Sequence, residues 1–165
     1  MKKTNEPILP RAIRNNNPCN IVRTQDPWKG MAAAQTDSRF VVFESMPYGF
    51  RAFFILMLTY YRTHQLHTIK DILSRYAPSC ENNTLEYISS VSRRLSTSPT
   101  APVPDLSEQS ASFWCDFAMA VFAVESGAPL RVCGNYLAAC HDGWVMFAQS
   151  VGISTRNFSP HIIHP

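Results

Sequence analysis

Charge is scarce in this chain. Only 16% of its 165 residues are charged against 45% hydrophobic, and no basic block is longer than Lys2-Lys3 or Arg93-Arg94. The net charge of +3 is therefore scattered, which speaks against nucleic-acid binding, where a clustered basic face is needed. No Cys-x-x-Cys pair occurs, and the cysteines (Cys19, Cys80, Cys115, Cys133 and Cys140) are odd in number. A chain of this size buries roughly two-thirds of its unfolded surface without staples, so reduced thiols are expected, with one disulfide after export left open. There is no Gly-rich phosphate loop and no Ser nucleophile elbow, so neither a phosphate cradle nor that acyl-transfer chemistry is implied. The Met-Lys-Lys start continues without the apolar core of a secretory signal. Folding in the cytosol is the expectation, with a dedicated route to the periplasm or cell wall. Arg51 and Arg62 bracket an apolar run far short of the roughly 20 residues that span a bilayer, so no membrane insertion is expected.

That run belongs to the stretch around which the rest is organised, Pro47 to Gln65, PYGFRAFFILMLTYYRTHQ. Nearly every residue from Ala52 to Tyr61 is apolar or aromatic, which predicts a helix buried all round. Ser45 is placed to cap it, and Pro47 fits its first turn. Before it, residues 1–19 read as an irregular leading segment whose RNNNPCN run tolerates left-handed backbone. Asn20 to Thr24 and Arg39 to Glu44 are the strand candidates, predicting a small hairpin or three-stranded sheet. After it, Thr68 caps a helix with Ile69, Ile72, Leu73 and Tyr76 inward, stopped by Pro78. Asn82 or Asn83 caps another, with Leu85, Ile88, Val91 and Leu95 on one face. Residues 96–108 read as an exposed Ser/Thr/Pro connector. A helix from about Gln109 to Ser126 follows, ended by Gly127 and Pro129, then a last one from about Gly134 to Ser150. The tail, ending in His161, His164 and prolines, is expected to be poorly ordered. The whole reads as one mainly helical α+β domain, residues 1–165, with the second-half helices docked as a pair across the first block.

For chemistry, the candidates are carboxylates. Glu81 lies between one helix stop and the next cap, where it either complements a helix N-terminus or faces a cleft. Glu125 closes an apolar helix as AVESG. Negative charge is disfavoured at a helix C-terminus, and partial burial there would raise its pKa as a general acid requires. Asp37 and Glu44 border the strand pair as secondary candidates, and glycoside cleavage needs two carboxyl groups across the scissile bond. His64 and His67 lack a nearby third ligand, so no metal is expected, and no cofactor is implied. A thiol nucleophile would have to be Cys80 or Cys19 paired with a distant His, whereas free cysteines usually serve as small core residues. The Asn run reads either as a loop cap or as a polar platform for sugar hydroxyls and acetamido groups.

The motifs RNNNPCNI, W-K-G, QTDSRFVVFES, YGFRA and TIKDILSRYAPSCENNTLEYISSV follow one another in order. Together they resemble a group of small phage and prophage virion-associated proteins of the "structural protein P5" type, over about Arg11 to Arg94. The resemblance implies a lysozyme-like, peptidoglycan-degrading protein, of the kind that phages use on the cell wall and bacteria redeploy as contact-dependent toxins. AVESG looks like the Glu-Ser turn of lytic transglycosylases, in which the glutamate is the acid/base. The implied activity is muramidase or lytic transglycosylase, with Glu81 or Glu125 as general acid and Asp37 as second carboxylate. Arg14, Asn15, Asn17, Asn20, Trp28, Tyr48, Asn82, Thr84 and Tyr87 would line the sugar groove. Peptidoglycan is the expected partner, with a cognate immunity protein or a secretion or virion component beside it. Two alternatives stay open: a non-enzymatic virion or wall-binding protein, and a Cys/His peptidase acting on stem peptides.

Overall fold

A computed structural model describes residues 8–78 and 83–158, without the side chain of Leu130. Its described part is mainly helical: α1 (Arg11–Arg14), α2 (Met46–Arg62), α3 (Ile69–Tyr76), α4 (Thr84–Arg94), α5 (Ala111–Ser126), α6 (Leu130–Gly134) and α7 (Leu137–Val151). Ser45 stands in extended backbone before α2, and Pro47 occupies its first turn, although the serine hydroxyl makes no cap bond. The most extensive packing in the fold lies between α2 and α7. Phe54 is its centre, edge-on to Trp144 at 5.1 Å and tilted against Phe147 at 5.8 Å. Gly143 lets the two helices close. A Cβ there would lie 2.6 Å from Phe50 Cβ and 2.8 Å from the Pro47 carbonyl oxygen. Gly143→Ala should therefore cost about 1–3 kcal/mol by forcing the axes apart. A urea midpoint equal to that of the parent protein would show that the pair has slack.

The hub is not α2 alone. Thr59 is exposed and Ile55, Leu56, Leu58, Tyr60 and Tyr61 are only partly covered, so α2 is buried on one broad face rather than all round. The helix enclosed by neighbours is α5, which packs against α1, α2, α4, α6 and α7. Its Trp114, Phe117, Val121 and Phe122 are fully buried, and Phe117 and Phe122 meet Phe53 and Phe50 of α2 edge-on at 5.9 Å. Gly127, at φ +60°, ends α5 in the left-handed region that a residue without Cβ adopts freely.

Thr68 caps α3 by accepting from the Asp71 amide at 3.1 Å, and Asn83 caps α4 by accepting from the Glu86 amide at 3.3 Å. The inward face of α4 differs from the expected one. Leu85 is 78% exposed, while Thr84, Tyr87, Ile88 and Val91 are buried. Two polar tethers set that rotation: Thr84 Oγ1 donates to the Ala77 carbonyl, and the Tyr87 hydroxyl reaches Glu125 on α5. The connector is no loose link either. Val103 and Leu106 are buried, Lys70 N donates to Pro99 O, and Val103 N donates to His67 O, so the segment straps the start of α3. The expected last helix is α7, which begins at Leu137, and the short α6, Leu130–Gly134, precedes it in a stretch where no helix was expected. Past α7, Glu108 Oε1 accepts from Ser154 Oγ at 3.0 Å and Asn157 N at 2.8 Å, and Phe158 packs against Trp144 and His141. This start of the tail is ordered against the body; His161 and His164 lie outside the described residues.

No continuous ladder joins the two strand candidates among the described residues. Val22–Phe40 and Met31–Phe43 are isolated antiparallel bridges. The cause is competition from side-chain amides. Asn17 donates to the Ile21 and Val41 carbonyls and accepts from Ile21 N, while Gln35 donates to the Ala32 and Val42 carbonyls and accepts from Val42 N. An amide side chain is chemically a peptide group, and here two of them replace rungs that a neighbouring strand would supply.

Candidate functional site

A cleft of about 470 Å³ opens between the irregular segment after α1, the last turns of α2 and α3, and the C-terminal end of α5. Glu125 is its acid. The last turn of α5 places it there, two residues before the left-handed stop at Gly127. Its Oε1 accepts from the Tyr87 hydroxyl at 2.6 Å and its Oε2 from Asn20 Nδ2 at 2.8 Å. Burial pushes the carboxyl above its ordinary range; the Tyr87 and Asn20 donors pull it back only in part. Tyr87 is itself pushed well up, first by burial and then by the Glu125 charge, so it stays a protonated donor. Asn20 reaches Glu125 because its backbone is left-handed, φ +48°, and the Tyr76 hydroxyl pins the preceding peptide by donating to the Cys19 carbonyl. Tyr76 thus positions Asn20, and Asn20 positions the acid.

The walls are aromatic and cationic. Trp28, Phe40, Tyr60 and Tyr76 line the cleft with Arg11, Arg39 and Asp26. Arg11 and Arg39 sit over the Phe40 ring at 5.1 and 5.2 Å, and Arg75 over Tyr60 at 5.5 Å, which fixes those ring faces. Aromatic faces and charged rims of this kind suit pyranose rings, whose C–H faces are apolar and whose edges carry hydroxyls.

The other sequence candidates are dispersed. Asp37 does not line the cleft. Its carboxylate is held at about 2 by Asn15 Nδ2, then by the Arg39 and Phe40 amides, with Arg11 3.4 Å away. With its lone pairs committed to shaping a turn, it is no water-positioning base. Asn17 is fully enclosed and Asn15 is 3% exposed; both amides serve the chain itself, so neither faces a sugar. Arg14 is exposed and donates to Leu9 O. Tyr48 lies against Gly30, where a Cβ would come within 2.1 Å of its ring, and Thr84 is buried on Ala77. Of the expected groove, Asn20 and Trp28 line the cleft, with Tyr87 reaching it through Glu125. Glu81, Asn82 and Cys80 lie outside the described residues. Glu44 is exposed away from the cleft. His67 Nε2 faces the Tyr61 carbonyl at 3.2 Å and His64 stacks edgewise on Tyr60. Among the described residues no three His, Cys, Asp or Glu side chains converge as a metal site would need. Cys19 is fully buried, and burial followed by the Glu125 charge pushes its thiol well up, which withholds the thiolate a nucleophile needs.

Arg11, Phe40, Tyr60 and Tyr76 are cleft residues that spacing alone does not single out. They come from four separate segments and meet only in the folded chain. A second groove of about 520 Å³, between α3, α4 and the connector, is lined by Leu85, Ile88, Pro99 and the flanking Lys70 and Arg93 without a carboxylate. No described helix is long and apolar enough to cross a membrane.

No protein-family model matches the chain. Over 87 residues, 51% of its length, it is 36% identical to Protein P5 of Pseudoalteromonas phage PM2, of which the match covers 54%. The chain thus spans about half the length of that curated relative, and this part of it has a phage homologue.

Proposed function

We propose that the cleft cleaves the glycan strand of peptidoglycan, with Glu125 as its general acid. The observation that carries this is the buried, protonation-prone carboxyl of Glu125 at the wall of an aromatic-lined cleft. Glu125 gives its proton to the glycosidic oxygen as the C–O bond breaks, and the departing sugar leaves as an alcohol. Glu125, now a carboxylate, takes a proton from the group that attacks the anomeric carbon, either water or the sugar's own 6-hydroxyl. Tyr87 and Asn20 stabilise the carboxylate stage by donating to both its oxygens. Trp28, Phe40 and Tyr60 carry the sugar rings. Asp26, exposed in the cleft and bonded to Thr24 Oγ1 at 2.6 Å, is the second cleft carboxylate in place of Asp37. Water as attacker makes the protein a muramidase; the 6-hydroxyl makes it a lytic transglycosylase. A lysozyme-like wall enzyme suits the phage homologue, in a virion or as a delivered antibacterial toxin whose immunity protein would plug this cleft.

Mass spectrometry of the soluble fragments released from purified sacculi tests it. Glycan fragments with reducing or 1,6-anhydro ends are expected, and the end group decides between the two chemistries. Free stem peptides would overturn the assignment in favour of an amide-cleaving enzyme. Sacculus binding without any release would favour the second reading, a wall-binding virion protein. In that case the Asn20–Glu125–Tyr87 network would be a strut joining the leading segment, α5 and α4.

A further inference from the structure

The groove between α3, α4 and the connector has an apolar wall that its own chain leaves uncovered. α4 turns Leu85 outward, 78% exposed, although its spacing with Ile88 and Val91 suits an inward face. Thr84 and Tyr87, bonded to Ala77 and Glu125, fix that rotation, so Leu85 cannot turn in without breaking both bonds. Its exposure is built into the fold. A single exposed leucine is ordinary, but this one stands in the wall of a groove of about 520 Å³ whose other apolar walls are Ile88 and Pro99. A projecting side chain and a hollow thus share one face. The charges of that face are set apart along α4. Lys70 and Arg93 line the groove and form no ion pair among the described residues. Glu86, exposed beside Leu85, gives one carboxylate oxygen to Asn83 Nδ2 at 3.1 Å. Leu85, Ser89 and Arg93 follow at four-residue steps on one exposed stripe. An acid at one end, a cation at the other and a small residue between them make the stripe complementary to its own reverse.

We propose that this face binds a second copy of the chain, α4 antiparallel to α4 about a two-fold axis at Ser89. The small Ser89 side chain lets the two helices approach, and Leu85 of each copy enters the groove of the other. Glu86, three positions before the axis, meets the second copy's Arg93, four positions beyond it. Each contact occurs twice, as in any isologous interface. Antiparallel helices also set the partial positive charge of each N-terminus beside the partial negative charge of the other's C-terminus. The proposal does not depend on the chemistry of the cleft, but it bears on how the cleft is presented. Tyr87 lies two residues, about 200°, round α4 from Leu85, and it is Tyr87 that holds Glu125. The dimer therefore leaves both Glu125 sites on the far sides of the α4 pair. Two clefts on one particle would engage a polymer of repeating units with the gain that multivalency brings.

Sedimentation equilibrium of the purified chain over a range of concentrations tests it. A monomer–dimer equilibrium with Kd of about 10 μM is expected, in keeping with an interface at the small end of the specific range. Leu85→Ala should weaken association about hundredfold, because each dimer loses two buried leucine side chains. Its circular dichroism should match that of the parent protein, since the leucine is exposed in the single chain. Arg93→Glu should weaken association about tenfold, and adding Glu86→Arg should restore it, because the pair is then reversed rather than removed. A parent chain that stays monomeric at about 0.1 mM, tenfold above that Kd, would overturn the second copy as occupant and leave the groove to a different protein. A dimer that survives Leu85→Ala, or one that the charge reversal fails to restore, would overturn the pairing of α4 with α4.

Discussion

Glu125→Gln should suppress fragment release from sacculi by about 10²–10⁴-fold, the range a positioned general acid supplies, while the protein stays folded. The substitution keeps the side chain's size, and a neutral amide still accepts from one neighbour and donates to the other. The pH dependence has a determined sign. Burial raises the folded pKa of Glu125 above its unfolded value, so the stabilising contribution is fully present below the unfolded pKa, about 4.3, and is lost as pH rises through the folded pKa. Two results follow. Wild-type activity falls on its alkaline side as Glu125 loses its proton, a limb absent from any residual activity of the Gln variant. The melting temperature of the variant relative to wild type should also rise between pH 4 and pH 7, because only the wild type carries a buried charge at the upper end. Full activity in the variant would end the assignment, and a variant less stable at pH 7 than at pH 4 relative to wild type would contradict the burial argument.

Phe54→Ala should cost about 3–5 kcal/mol, the range for emptying a large aromatic site in a core. Phe54 is fully buried between α2 and α7, within 5.1 to 5.9 Å of the rings of Trp144, Phe147 and Phe53. Those neighbours are themselves pinned by α5 and by Phe158, so they have little room to close over the void. Against a total stability of roughly 5–15 kcal/mol, this one truncation removes a large share. Urea unfolding should show it as a lowered midpoint at nearly constant slope. A loss below about 1 kcal/mol would mean that the aromatic cluster repacks freely, contrary to the density such cores maintain.

Elements whose signals are local were legible in the residues. Thr68, Asn83 and Gly127 announce helix ends by chemistry that acts within one turn, and the apolar run of α2 announces a helix, though not that only one face of it is buried. Glu125 was visible as a carboxylate at the helix end that disfavours it. What was not legible depended on distant partners. The rotation of α4 that exposes Leu85 is set by a hydroxyl reaching α5, and no periodicity encodes that. Asn15 and Asn17 looked like sugar ligands because an amide offers the same donors and acceptors to a sugar as to a backbone; only burial reveals which it serves. Asp37 was misjudged for the same reason, since a carboxylate that closes a turn and one that positions water are the same residue in a string.

The bond from Asn20 to Glu125 spans 105 positions, and the Cys19 thiol meets the Ala118 carbonyl across 99. Closing a loop that long carries an entropic cost that short-range contacts do not offset, so such pairings form late. α2, α3 and α4 can take shape while the chain is still emerging, but the surroundings of Glu125 cannot exist until α5 is made and docked. Until then Glu125 is a solvated carboxylate of ordinary acidity. Its hold on a proton belongs to no single helix and is acquired only when α5 docks against Asn20 and Tyr87.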